Sequence, residues 1–186
     1  GNVGGLCGIS RGGSVDQCFV GINVEGWRMV GNSQPILRTG GLMGFASDAR
    51  ITNCLVSSNQ VINLHSNPDL LDNQAGQAAG LVADANTNVV LSSCAMDGVK
   101  IYSRDIAESS PAEDSTLDRF ALNNVNRGTT GYAYAKNTNA TVLNCFAYNG
   151  TEMAYGGLTV TDDVTSGQSA ASAAQQTLLN GSEGVW

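Results

Sequence analysis

The chain has 186 residues, enough for one domain or for a run of small units acting as one, with 42% apolar residues to build a core. Only 13% are charged, and the net charge is −7 with nine basic residues scattered singly, which argues against nucleic acid as a partner. No apolar run approaches the ~18 residues of a membrane span, and no basic stretch followed by an apolar run marks a signal peptide. Twenty-three glycines against three prolines, spread among Val, Ile, Leu, Thr and Asn, suggest tight turns between short strands.

In chain order, the first element is a glycine lead, Gly4-Gly5-Leu6-Cys7-Gly8. It recurs as Gly40-Gly41-Leu42-Met43-Gly44, as Ala79-Gly80-Leu81-Val82-Ala83, and more weakly as Thr130-Gly131-Tyr132-Ala133-Tyr134. Each lead is followed by a cysteine: Cys18, Cys54, Cys94 and Cys145, at 12, 12, 13 and 13 residues from the Leu or Tyr. Three residues before the cysteine stand Val15, Ile51, Leu91 and Val142. One before it stand Gln17, Asn53, Ser93 and Asn144. Two after it stand Val20, Val56, Met96 and Ala147. A fourfold match at these positions marks an internal repeat.

Each position has a physical reading. A cysteine and the apolar residue two places on share one strand face, because side chains alternate with period two. Turn-formers lie between the strand pieces: Arg11-Gly12-Gly13, Ser47-Asp48-Ala49, Ala85-Asn86-Thr87-Asn88 and Lys136-Asn137-Thr138-Asn139. One unit reads as strand, turn, strand, turn, short strand over about 23 residues. A single unit buries too few aliphatic side chains to offset the ordering of its backbone, so the units must stack. The expected fold is all-β, a right-handed parallel β-helix (solenoid) of four to five coils starting near residues 4, 40, 79, 130 and 156. Its handedness comes from the general bias of parallel crossovers. Residues 1–165 form this domain, and residues 166–186 a cap or linker. The Ala- and Gln-rich stretch from Ser166 to Asn180, with Gly181 after it, suggests a helix over the open end.

The cysteines lie 36, 40 and 51 residues apart, so each coil carries an insertion, at Gly26–Arg38, Asn63–Gln77 and Ser103–Arg127. All three leave at one point of the repeat and should project from one side. The longest mixes Asp105, Glu108, Glu113, Asp114 and Asp118 with Arg104, Arg119 and Arg127, the pattern of a solvated loop with a helical turn after Ser115.

The second copy carries both halves of a pattern known elsewhere: Gly40-Gly41-Leu42-Met43-Gly44, then Ile51-Thr52-Asn53-Cys54. It resembles the GLUG motif, and the first copy, Gly4–Val24, resembles it too. The third and fourth copies depart from the pattern, with Ala83 and Tyr134 at its last glycine and Ala79 and Thr130 at its first. The resemblance implies large exported bacterial proteins, including adhesins of the filamentous haemagglutinin type and immunoglobulin A peptidases. It implies a cell-surface or secreted setting and brings no catalytic residue. The residues the internal repeat marks are structural: Gly5, Leu6, Val15, Cys18, Gly41, Leu42, Ile51, Asn53, Cys54, Gly80, Leu81, Cys94, Gly131, Tyr132, Asn144 and Cys145.

Catalytic chemistry finds little support. His65 stands alone and reads as a surface residue, and no His-Glu-x-x-His occurs. The four repeat cysteines are too far apart in sequence for Cys-x-x-Cys ligation and read as packed free thiols, as does Cys7. Asp48 and Asp84 stand six and three residues after their repeat leucines and do not align; Asp162 and Asp163 are adjacent and would face opposite ways. No cofactor or metal is expected. The expected activity is adhesive or structural, as a monomer, with a host protein or glycan as partner and no nucleic acid. Two alternatives stay open: an accessory segment of a secreted immunoglobulin A-type peptidase, and a carbohydrate-binding solenoid with Tyr132, Tyr134, Tyr148 and Tyr155 as stacking residues. Without an initiator Met, and with its first repeat at Gly4, the chain reads as an excised piece of a longer protein whose targeting signals lie elsewhere.

Overall fold

The computed structural model describes residues 1–28, 36–57, 60–65, 76–105, 125–126, 129–148, 151–155, 158–160 and 164–166. Among them there is no helix, and the chain winds as a parallel β-solenoid. The first coil comprises β1 (Asn2–Gly4), β2 (Cys7–Asp16), β3 (Phe19–Val20) and β4 (Val24–Arg28). The second comprises β5 (Leu37–Gly40), β6 (Met43–Thr52), β7 (Leu55–Val56) and β8 (Gln60–His65). The third comprises β9 (Gly76–Ala79), β10 (Val82–Ser92), β11 (Ala95–Asp97) and β12 (Lys100–Asp105). A short β13 (Val125–Asn126) pairs antiparallel with the end of β12. The fourth coil comprises β14 (Thr129–Gly131), β15 (Tyr134–Leu143), β16 (Cys145–Tyr148) and β17 (Glu152–Tyr155); β18 (Leu158–Val160) and β19 (Val164–Ser166) belong to a fifth.

Equivalent strands stack into four sheets. Sheet I is β1-β5-β9-β14-β18, sheet II β2-β6-β10-β15, sheet III β3-β7-β11-β16-β19 and sheet IV β4-β8-β12-β17. Inward positions form apolar columns running through the coils. Val15, Ile51, Leu91 and Val142 are one column in sheet II. Val20, Val56, Met96 and Ala147 are another in sheet III, and Val24, Val61 and Ile101 line sheet IV. Most of these side chains join one core cluster, so burial is continuous along the stack rather than partitioned by coil.

Four expectations need correction. Each of the first four coils has four strands, not three: sheet I precedes the glycine lead, so the second coil runs from Leu37 to His65. The strands of sheet IV also run further than expected, to Arg28, His65 and Asp105, so the connecting segments begin later. In the fourth copy the register is displaced by one. Gly131 pairs with Ala79, in the column of Gly4 and Gly40, and Tyr134 pairs with Val82. Tyr132 therefore takes the second-glycine position and Ala133 the leucine position, where its small side chain is fully buried. Tyr155-Gly156-Gly157-Leu158 is not a fifth glycine lead: Tyr155 ends β17, Leu158 begins β18, and Val160 pairs with Gly131. The expected cap over 166–186 falls outside the described residues apart from Ser166, and the helical turn after Ser115 falls outside them entirely.

The leucine column shows what stacking contributes. Leu42 and Leu81 are 0% exposed, whereas Leu6 in the first coil, with a described neighbour on one side only, is 41% exposed. Phe19, Ile22 and Trp27 are exposed in the same coil.

Candidate functional site

Two corners of the coil are made by residues in the left-handed region. One is the position before the cysteine: Gln17, Asn53, Ser93 and Asn144 have φ between 49° and 55°. The other bends the long strand of sheet II, at Gly12 and Gly13 in the first coil, Asp48 in the second and Asn88 in the third. Short polar side chains tolerate this conformation best among non-glycine residues, which explains the polar column seen in the sequence. The corners also bond between coils. The Asp16 carboxylate accepts from Thr52 Oγ1 at 2.6 Å and Asn53 Nδ2 at 2.9 Å, and these bonds hold it below the usual aspartate range. Asn88 Nδ2 donates to Asp48 Oδ1 at 2.9 Å.

One residue past the first corner, the repeat cysteines form a single column. Leu55 N donates to Cys18 O at 2.9 Å, Ala95 N to Cys54 O at 2.8 Å and Phe146 N to Cys94 O at 2.9 Å, so each cysteine sits directly beside the next. All five cysteines are free thiols; Cys54, Cys94 and Cys145 are buried, while Cys18 and Cys7 are partly accessible. Each repeat thiol donates to the carbonyl two residues earlier, at 3.5 Å for Cys18, 3.1 Å for Cys54, 3.4 Å for Cys94 and 3.6 Å for Cys145. The neighbouring Cys94 thiol lowers the Cys54 thiol below its ordinary value, against its own burial. Cys94 is driven well above, by the Cys145 and Cys54 thiols on either side and then by desolvation. Burial alone raises Cys7, and burial first raises Cys18.

The third feature is an ion cluster across three coils. The Asp84 side chain is 1% exposed and accepts from Arg38 Nε at 2.8 Å, with Lys136 Nζ at 3.6 Å from the same oxygen. Its other oxygen, Oδ1, has no hydrogen-bond partner among the described residues. Arg38, on sheet I, also donates to Asn2 Oδ1 at 3.5 Å and lies 5.8 Å above the Phe45 ring centre. Asp84 is the register partner of both Phe45 and Lys136. Burying a carboxylate is costly unless it is paired, and here two cations supply the pairing.

The structure thus brings Cys18, Cys54, Cys94 and Cys145 together, with Val15 and Ile51 on the wall beside them. Gly5, Gly41 and Gly80 stand where coils approach most closely: a Cβ on Gly41 would lie 2.0 Å from the Gly80 carbonyl oxygen. Asp48 and Asp84 are kept apart, one in a corner and one three residues earlier in the register. His65 ends β8 rather than sitting in a loop. Tyr132 and Tyr134 pack against the core and stay partly exposed. The side chains of Tyr148 and Tyr155, and residues Asp162 and Asp163, lie outside what is described. Sequence reasoning missed the ion cluster. In the corrected register Asp84 and Lys136 share a column, and that was the signal available. Among the described residues, no group of three or more His, Cys, Asp or Glu is placed to hold a metal, and no helix is long and apolar enough to cross a membrane. Compared with known proteins, the chain matches no family model, no curated protein and no solved structure.

Proposed function

We propose that this chain is a non-catalytic solenoid segment of an exported bacterial protein, serving adhesion or structure through partner contact along one corner of the coil. One observation carries the reading. The segments that join sheet IV to sheet I, at residues 29–36, 66–75, 106–128 and 156–157, all run between the same two sheets, so the strands on either side end at one corner of the stack, and they differ in length. A regular rod that lets its insertions out on one line is a scaffold for display: rigid strands hold position while the loops meet a partner. The resemblance of Gly40-Gly41-Leu42-Met43-Gly44 and Ile51-Thr52-Asn53-Cys54 to the GLUG motif supports the exported setting.

The test is binding of the labelled chain to mammalian epithelial cells, to immobilised extracellular-matrix glycoproteins and to a glycan array. A variant in which residues 106–124 are replaced by a short Gly/Ser linker is run beside it. Binding by the whole chain that falls in the variant, with an unchanged far-ultraviolet spectrum, is the expected result. New reducing ends released from acidic polysaccharides would refute the non-catalytic reading. Binding unaffected by the replacement would refute the corner as the contact surface.

A further inference from the structure

We propose that Cys18 and Cys54 are an oxidation site, closing to one disulfide in the presence of a hydroperoxide while Cys7, Cys94 and Cys145 stay reduced. Placement comes first. Cys18 and Cys54 are adjacent in the column, joined through the Leu55 N to Cys18 O bond at 2.9 Å. Strands paired this way lie about 4.8 Å apart. That Cα separation falls inside the roughly 4.4–6.8 Å a disulfide spans, although parallel Cβ vectors leave a small gap to close.

Three observations single out this pair. Cys18 is the only member of the column that is not buried, so an oxidant in solution reaches it first. Cys18 also lies on an end coil of the described stack. Its coil has a described neighbour on one side only, so it can yield the roughly 0.3–1 Å by which the Cβ atoms must approach. Cys94 instead lies between two coils and bonds to both Ser92 O and Ile51 O. Third, the thiol facing Cys18 is Cys54, whose thiolate the neighbouring Cys94 favours. Cys7 is as accessible as Cys18, but its register partner is Met43, so it has no thiol to close upon.

The chemistry balances in two steps. The hydroperoxide O–O bond breaks as its terminal oxygen passes to the Cys18 sulfur, giving a sulfenic acid and an alcohol (water, for hydrogen peroxide). Cys54 sulfur then attacks Cys18 sulfur; the S–O bond breaks, and the departing hydroxide leaves as water with the Cys54 proton. Two thiols are oxidised by two electrons in all, and one hydroperoxide is reduced. Burial raises the Cys18 thiol above its ordinary value, so the first step is slower than at a dedicated peroxide-reactive cysteine.

The experiment treats the whole chain with hydrogen peroxide, alkylates the remaining thiols, and maps the non-reduced peptides. Trypsin with an Asp-specific protease cuts between Cys54 and Cys94 at Asp69, Asp72 and Asp84. The expected result is one bridge per chain, between the peptides of Cys18 and Cys54, with the other three cysteines alkylated. Cys18→Ala abolishes the bridge, and Cys54→Ala leaves a Cys18 sulfenic acid that dimedone traps. Five alkylated cysteines after oxidation, a bridge between any other pair, or a bridge between two chains would each overturn the proposal. The Cys18→Ala arm alters a partly accessible residue and still decides the matter if Cys54→Ala does not fold.

Discussion

Consider a single methyl group added at Gly41. Its Cβ would sit 2.0 Å from the Gly80 carbonyl oxygen and 3.0 Å from Val56 Cγ1. Relaxed contacts need about 3.5 Å, so the coils would have to part by more than ~1 Å there. The obstacle is backbone in the next coil, and it has no rotamer to move into. Parting the coils stretches Gly41 N to Ala79 O (3.0 Å), Leu42 N to Leu81 O (2.9 Å) and Met43 N to Leu81 O (3.1 Å). Each such bond contributes about 0.5–1.5 kcal/mol net. Overpacking of a dense core costs about 1–3 kcal/mol, and a backbone obstacle puts Gly41→Ala at roughly 3 kcal/mol, the upper end. For a chain of this size that is a fall of about 6–12 °C in melting temperature. Gly80→Ala is the matched control. Its nearest obstacle is Met96 Sδ at 2.1 Å, with Tyr132 O next at 2.9 Å. A thioether can swing aside, so the expected cost is about 1 kcal/mol. Thermal melts followed by far-ultraviolet circular dichroism compare the two. A Gly41→Ala chain that melts with the wild type, or above Gly80→Ala, refutes the close-approach reasoning.

Asp84→Ala leaves Arg38 without its carboxylate. Because the Arg38 side chain is 19% exposed and can recover water, the loss should be about 1–3 kcal/mol rather than the full cost of a stranded buried charge. It is measured as a lower urea midpoint, with a difference from wild type that persists in 1 M salt because Asp84 is shielded from ions. Asp16 has a depressed carboxyl, so its contribution is present above the unfolded value of about 3.9 and is lost as pH falls through the lower folded value. Urea midpoints between about pH 5 and pH 2 should therefore fall less steeply in Asp16→Ala than in wild type; equal slopes would contradict the role given to Thr52 and Asn53. Cys94 is shifted the other way. Its contribution is complete below the unfolded thiol value of about 8.5 and disappears as pH rises through the raised folded value. Cys54, which Cys94 lowers, acts in the opposite sense but is shifted less, so Cys94→Ala should flatten the stability loss above about pH 9. A limb as steep as wild type would show that other groups control it.

The cysteine column was legible because its members obey two constraints at once, a nearly fixed distance from the leucine and burial on an inward face. Sheet I was not, because its strands (Asn2–Gly4, Leu37–Gly40, Gly76–Ala79, Thr129–Gly131) share little beyond small residues near the turn. Their pairing is done by backbone, which leaves no side-chain period to detect. The register slip in the fourth copy has a specific origin. Asn88 is an extra residue in β10, marked by the register shift between Thr87 and Val89, and it lengthens the third coil to 13 residues between leucine and cysteine. Placing Tyr132 in the leucine column gave the fourth coil the same 13, so the false match looked like agreement. With Ala133 there the spacing returns to 12. The ion cluster was hidden behind the same slip: only in the true register do Ile9, Phe45, Asp84 and Lys136 fall in one column beside Arg38.

A stack of this kind separates the residues that hold it from the residues that are free to vary. Its stability is close to a sum over neighbouring coils, so a change in one inward column is felt mainly by the coils on either side. Inward positions must fit the side chains above and below, which is why Val15, Ile51, Leu91 and Val142 stay aliphatic. The corner columns must accept positive φ, and of the six non-glycine residues that do so there three are asparagine, Asn53, Asn88 and Asn144. The passage from sheet IV to sheet I meets neither demand in the same way: its segments differ in length while the strands at both ends stay paired in register. Loop closure grows only slowly more expensive with length, so this corner can take up new sequence without disturbing the hydrogen-bonded rungs. It is the place where a change of partner requires no change of fold, and that physical freedom is the reason to look for recognition there rather than on the sheets.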